Sequence, residues 1–275
     1  MLIAQITDIH IGNDPTTRLN DARLSQVVER LNQVRPDVVV ATGDLTENGG
    51  VDCYRRLRDL LAPLDAPVHF ALGNHDVRAD FLAVYPETPV MGGFVQYERD
   101  LGGMRLLVLD TLEEGRHGGA FCEVREGWLR DRLAEAPDTP TLIALHHPPV
   151  KSGIGWIDGA VDGPWSRRLA AALDGQDQIV GMIAGHIHRG MTAPFAGQVV
   201  TTASSCAPQL ALDLSAMRPD RPDARPLIVE EPPAFSLHLW SGGALTTHFA
   251  SAGAAPVLAR YDASTRGMIA DLATA

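Results

Sequence analysis

Five short clusters in this chain carry donors that bind metal ions: Asp8-Ile9-His10, Gly43-Asp44, Gly73-Asn74-His75-Asp76, His146-His147 and Gly185-His186-Ile187-His188. Each follows an apolar run: Leu2 to Thr7, Val38 to Thr42, Val68 to Leu72, Thr141 to Leu145 and Ile179 to Ala184. Short runs of this kind read as buried strands, so every donor cluster stands where a strand ends. In open α/β sheets that edge is where ligands bind. Residues two apart in an extended segment point the same way, so Asp8 and His10 can reach one point, as can His186 and His188. Counting Asp8, His10, Asp44, Asn74, His146, His186 and His188, the set is two Asp, one Asn and four His, with no thiolate. It suits two divalent or trivalent ions of borderline hardness better than a structural zinc. Two such ions held close together are a device for cleaving phosphoesters.

Each cluster alone has a plainer explanation. Asp8-x-His10 can be a surface turn, and Asp44 can cap the loop that follows it. Asn74 offers a neutral, weak amide oxygen, and ligation by Asn74 leaves His75 free to act on a substrate. Two imidazoles buried at a sheet edge with no partner are costly, so His186 and His188 are the strongest pair. His146 directly follows its strand and is preferred as a ligand; His147 is expected to pack or hydrogen-bond. His69, His238 and His248 read as ordinary strand residues. His117 lies in a Gly-rich loop that could bring it to a substrate. Arg78, Lys151 and Arg189, just past motifs, read as surface charges that could at most touch a phosphate.

The elements that must position these residues alternate. A helix is predicted over Leu19 to Val34, with Leu24, Val27, Val28, Leu31 and Val34 on one face, and Arg35-Pro36 stops it. Further helices are expected over Tyr54 to Leu64, Phe81 to Tyr85, Arg125 to Ala136 and Trp165 to Leu173. Phe94 to Glu98 and Met104 to Leu109 read as a hairpin around Asp100 to Gly103. This βαβ rhythm implies a sheet with parallel strands. After Met191 come a hairpin (Met191 to Phe195, Gln198 to Ala203), a proline-rich charged stretch from Leu214 to Pro233, two strands (Ala234 to Trp240, Ala244 to Phe249) and a weakly patterned tail. A single domain over 1–275 is expected, with 206–235 as a cap, a lid or an oligomer contact.

Composition narrows the partners. The net charge of −11 argues against a nucleic-acid polymer, whose binding rests on Lys and Arg. Three cysteines, Cys53, Cys122 and Cys206, do not make a disulfide framework, and a reducing compartment is the simple reading. With no secretory signal and no run of about 18 apolar residues, a cytoplasmic protein with no membrane partner is expected.

The ordered set D-x-H, G-D, G-N-H-D, H and G-H-x-H resembles the calcineurin-like metallophosphoesterase superfamily, over Leu2 to His188. Gly43-Asp44-Leu45-Thr46 followed by Gly49, Gly73-Asn74-His75-Asp76-Val77-Arg78, and the Ala203 to Leu212 stretch containing Cys206 resemble most the bacterial class III cyclic-nucleotide phosphodiesterases and the related glycerophosphodiesterases. The resemblance implies an α/β fold in which two mixed β-sheets form a sandwich flanked by helices. It implies that Asp8, His10, Asp44 and His188 hold one ion, and that Asn74, His146 and His186 hold a second, with Asp44 bridging. Iron, manganese, zinc or cobalt would serve. A hydroxide between the ions would attack the phosphorus of a small diester, a cyclic nucleotide or a glycerophosphodiester, with His75 as the catalytic acid or phosphate donor. Relatives are commonly oligomers, so a homo-oligomer is expected. The alternatives are a phosphomonoesterase or nucleotidase of the same superfamily, and a non-catalytic scaffold, which should show broken motifs.

Overall fold

A computed structural model describes residues 1–159, 161–218 and 220–274; Pro219, inside the expected cap, lies outside the described residues. The strands predicted before the donor clusters are β1 (Leu2–Ile6), β2 (Val38–Thr42), β3 (Val68–Ala71), β6 (Thr141–Ala144) and β7 (Ile179–Ala184). The remaining strands are β4 (Tyr97–Asp100), β5 (Arg105–Val108), β8 (Met191–Phe195), β9 (Gln198–Thr202), β10 (Gln209–Leu210), β11 (Ile228–Val229), β12 (Ala234–Ser241) and β13 (Ala244–Ser251). The helices are α1 (Leu19–Val34), α2 (Val51–Leu61), α3 (Arg78–Val84), α4 (Glu123–Glu135), α5 (Pro164–Leu173) and α6 (Arg266–Thr274).

Two mixed sheets result, in the orders β13-β12-β1-β2-β3 and β4-β5-β6-β7-β9-β8. β1, β2 and β3 run parallel in the first sheet, as do β5, β6, β7 and β9 in the second. The donor clusters follow the C-terminal ends of β1, β2, β3, β6 and β7. The alternation of side chains along β5 and β6 builds the layers. Leu106, Val108, Leu142 and Ala144 join the core that holds the first sheet and α1 to α3. Leu107, Ile143 and Leu145 turn the other way, onto α4 and α5. A strand buried on both faces needs apolar residues at every position, which is why these runs read as continuous in the sequence. The chain thus forms the expected sandwich of two mixed sheets flanked by helices.

The boundaries differ where backbone chemistry was hidden. α2 starts at Val51 because Gly49 and Gly50 take positive φ and turn the chain just before it. The hairpin pairs Tyr97–Asp100 with Arg105–Val108, later than predicted. The β10–β11 pair and α6 had no sequence signal: two-residue strands carry no periodicity, and α6 buries no residue.

Candidate functional site

All seven expected ligands converge. His10 Nε2 lies 3.2 Å from His188 Nε2 and 3.7 Å from Asp44 Oδ2, and His188 Nε2 lies 3.5 Å from Asp8 Oδ1. On the other side of Asp44, His146 Nε2 is 3.2 Å from Asp44 Oδ2 and 3.2 Å from Asn74 Oδ1. His186 packs its ring 5.2 Å from that of His146. Asp8, Asp44 and His146 can present their donor atoms to one point, and so can Asp8, His10 and His188. Asp44 therefore sits between two donor groups.

The backbone is bent to achieve this. Among the described residues, eight non-glycine residues have positive φ, and five are Asp8, His10, Asp44, His186 and His188. Asp and His tolerate that region better than most residues, yet each instance costs roughly 1–3 kcal/mol and persists only where the surroundings enforce it. Asp8, Ile9 and His10 are held by backbone hydrogen bonds to the Gly43 and Asp44 carbonyls, which tie the two loops together. Gly73 and Gly185 are required for close approach. A Cβ on Gly73 would collide with Asp44 Oδ1, and one on Gly185 would collide with Thr7 Oγ1.

Three of the four rings are aimed by the other nitrogen. His10 Nδ1 donates to Glu47 Oε2 (2.7 Å), His146 Nδ1 to the Thr42 carbonyl (2.8 Å) and His188 Nδ1 to the Pro208 carbonyl (2.8 Å). A carbonyl only accepts, so Nδ1 carries the proton and a neutral ring turns its Nε2 lone pair inward. Metal-ligating histidines are held in this way. Two Nε2 lone pairs 3.2 Å apart, on His10 and His188, repel unless a proton or a cation lies between them. That contact, together with an all-nitrogen and oxygen donor set around two buried carboxylates, fits two metal ions.

The electrostatics agree. Burial opposes charge on His146, but Asp44 overrides it and pushes its pKa up to about 9. Burial opposes charge on His10 as well, and Glu47, Asp44 and Asp8 raise it all the same. Burial would raise Asp44, yet His146, His10 and His75 hold it well below the usual carboxylate range. Burial pushes His186 down to about 3 and lowers His188. The buried carboxylates demand positive charge, and protons on His146 and His10 meet that demand until cations replace them.

His75 is the expected non-ligand. Its Nδ1 donates to the Glu47 carbonyl (2.7 Å), its backbone N–H donates to Asp44 Oδ1 (2.9 Å), and its ring lines a cavity of about 660 Å³ that also opens onto His10, Asn74, His186 and His188. His147 is buried, bonded to Thr111 Oγ1 (2.8 Å), and kept neutral by burial and by His146 and His186; its ring lies 4.8 Å from that of His186. His117 lines the same cavity, 3.5 Å from Asn74 Nδ2, with its ring 6.1 Å from that of His75.

Arg78, Lys151 and Arg189 are committed elsewhere. Arg78 makes a bidentate pair with the buried Asp110 (2.8 and 2.8 Å), Lys151 pairs with Asp162, and Arg189 forks onto Glu231 (2.8 and 2.9 Å). No Lys or Arg lines the cavity among the described residues.

Sequence reasoning missed two positioning carboxylates. Glu47 orients His10 and lies 4.0 Å from His75 Nδ1; its place three residues after Asp44 was the available signal. Asp76 accepts from the Leu45, Thr46 and Gly73 N–H groups and from the Tyr54 hydroxyl, which stitches the Asp44 loop to the Asn74 loop. Burial and Asp44 push it up to about 6.

The comparisons fit this geometry. The model of the calcineurin-like phosphoesterase family matches residues 1–190. A probable glycerophosphodiester phosphodiesterase from Arcobacter nitrofigilis is 31% identical over 257 residues, spanning 90% of this chain and 92% of that protein. A cAMP/cGMP dual specificity phosphodiesterase from Mycobacterium tuberculosis is 36% identical over 217 residues, spanning 74% of this chain and 67% of that protein. Among solved structures, a dimetal phosphatase from Danio rerio superposes with a TM-score of 0.67 at 16% identity, covering 92% of this chain and 96% of its own. A Plasmodium protein described as the anchor in the inner membrane complex superposes with a TM-score of 0.64, also at 16% identity, covering 94% of this chain and 87% of its own. The fold alone therefore does not separate enzyme from anchor; the donor set must.

Proposed function

Because the chain belongs to the calcineurin-like phosphoesterase family, we propose that it is a metal-dependent phosphodiesterase that hydrolyses small phosphodiesters, cyclic nucleotides or glycerophosphodiesters. The observation that carries this reading is the convergence of all seven donors on two adjacent points that share Asp44. Asp8, His10, Asp44 and His188 would hold one cation; Asp44, Asn74, His146 and His186 would hold the other. Bound cations would supply Lewis-acid polarisation of the phosphoryl oxygens and a water of lowered pKa.

The chain's own residues do the rest. Glu47 fixes the tautomer of His10, and the Thr42 and Pro208 carbonyls fix those of His146 and His188. With Nδ1 engaged by the Glu47 carbonyl, His75 has Nε2 left to give a hydrogen bond or a proton to the leaving oxygen when protonated. With no Lys or Arg among the described lining residues, the phosphoryl charge would be met by bound cations and by the histidines.

The names of the relatives support a diester over a monoester. We extend the same reading to the rest of the chain: one domain over 1–275, with 206–235 as a cap, a lid or an oligomer contact, in a cytoplasmic homo-oligomer using iron, manganese, zinc or cobalt. Leu210 and Ile228 at the cavity support the cap. The three free cysteines fit a reducing compartment, and no helix among the described residues is long and apolar enough to cross a membrane.

The test is turnover, after reconstitution with manganese or iron, of cyclic AMP, glycerophosphocholine, bis(p-nitrophenyl) phosphate and p-nitrophenyl phosphate. Preference for a natural diester supports the reading; turnover of the monoester alone removes it in favour of a phosphatase.

A further inference from the structure

The lining of the cavity divides into two kinds. The polar part includes five of the seven donors, His10, Asp44, Asn74, His186 and His188, with His75, His117 and Glu47; the apolar part comes from two chain segments and includes Pro148, Trp156, Ile157, Val161, Leu210 and Ile228. The apolar part has no use in the chemistry described so far. Among the described lining residues the carboxylates are Asp44 and Glu47, both engaged by histidines. A second phosphate on the substrate would find no cation there, and a quaternary ammonium would have an indole face but no unengaged carboxylate beside it. A flat uncharged ring would find an indole.

That indole is held out deliberately. Trp156 is 38% exposed, yet its loop is fixed from within. Asp158 accepts from the Ser152 N–H (2.8 Å), the Ser152 hydroxyl (2.7 Å) and the Gly153 N–H (2.8 Å), and the Ile157 N–H donates to the Ile154 carbonyl (3.0 Å). Ile154, 2% exposed, anchors the turn. A rigid turn presents its aromatic at little entropic cost on binding, and large apolar side chains left exposed at a cavity mark ligand contact.

We infer that Trp156 is a specificity-determining residue: it stacks on a flat, uncharged aromatic ring carried by the non-reacting ester group, a nucleobase being the biological case. This inference rests on the phosphodiesterase reading above. It predicts that diesters with a single phosphate and an aromatic non-reacting group are preferred over those bearing only a glycerol-like or choline group.

The test varies the non-reacting group while the leaving group stays p-nitrophenolate. The p-nitrophenyl esters of thymidine 5′-phosphate, phosphocholine and methyl phosphate are compared with the metal-loaded full chain. The thymidine ester should exceed the methyl ester in kcat/KM roughly tenfold or more, the size expected of one base–aromatic stack, and mostly through KM. Trp156→Ala should bring that ratio towards one, and Trp156→Phe should restore most of it. A ratio near one in the wild type, an unchanged ratio in Trp156→Ala, or preference for the choline ester each overturns the inference and leaves the phosphodiesterase reading standing. If none of the three diesters is hydrolysed while p-nitrophenyl phosphate is, the reading itself has failed and the inference with it.

Discussion

The crossing strand ends around Asp44 and the tail after Ser251 are built on opposite principles. At the strand ends, strained backbones, close-approach glycines and buried carboxylates are each fixed by several partners. In the tail, every described residue from Ala254 onward is exposed except the half-buried Thr265, and α6 leaves Met268, Ile269 and Leu272 in solvent. The first region holds a geometry that its own sequence would not adopt locally; the second adopts what its local sequence allows. Substitutions should therefore have large effects at the first and almost none at the second.

The sharpest way to break this contrast is Asp44→Ala. It removes the carboxylate that stands between both donor groups and faces His10 and His146. Metal content by elemental analysis should fall, and activity should fall by more than the roughly 10³-fold cost of one lost transition-state donor. Full metal retention would show that Asp44 is not shared. Next in size is His75→Ala, which should keep its metals and lose roughly 10²–10⁴-fold in rate. Loss of metal in that variant would make His75 a ligand and remove its assigned role.

The third effect separates stability from chemistry. His238 is buried between Gln5 Oε1 (3.1 Å) and Thr247 Oγ1 (2.8 Å), and burial pushes its pKa down to about 4. Its ordinary value is about 6.5, so between pH 6.5 and 4 the unfolded chain binds a proton that the folded chain refuses. Stability is fully present above about pH 6.5 and falls as pH drops towards 4, by about 3 kcal/mol in all. Denaturant melts across that window should show a steeper loss in the wild type than in His238→Gln; parallel curves would mean that the site is better hydrated than its packing indicates. Smaller again is Glu47→Gln, which weakens the bond that orients His10. A partner behind a ligand is worth roughly 10–100-fold in metal affinity, read by titration with manganese. Unchanged affinity would place Glu47 outside the metal site.

How much of this was legible follows from the same contrast. The donor residues lie at the ends of apolar runs, and a strand buried on both faces is hard to disguise, so the sheets and all seven donors could be read in order. Glu47 and Asp76 were visible only as acids beside or within the motifs, because a carboxylate that bonds a ring or several N–H and O–H donors looks in sequence like any loop acid. Arg78 is the converse. Its place after Asn74-His75-Asp76 reads as a surface charge that could at most touch a phosphate, and only the fold shows the buried Asp110, 32 residues away, engaging it. Trp156 carried no signal at all, since its meaning depends on a loop closed by Asp158 and on segments that meet only in three dimensions.

The smallest expected effect tests the other half of the contrast. Deleting the chain after Ala254 removes α6 and the exposed Val257, Leu258 and Tyr261. No described residue of the deleted stretch belongs to either hydrophobic core or lines the cavity. Its hydrogen bonds to side chains are local, among Arg260, Asp262, Ser264, Thr265, Ala270, Asp271 and Thr274. Surface changes away from packed features stay within about 0.5 kcal/mol, so the melting temperature and the turnover of the truncated chain should match those of the full chain. A large apolar surface left uncovered is nonetheless unusual for a monomer. If truncation lowers the melting temperature by several degrees and the loss depends on protein concentration, the tail is covered by another copy in solution, and the stability of the chain cannot be separated from its assembly. If the loss is independent of concentration, the tail folds back onto its own protomer and the contrast between the two regions is wrong.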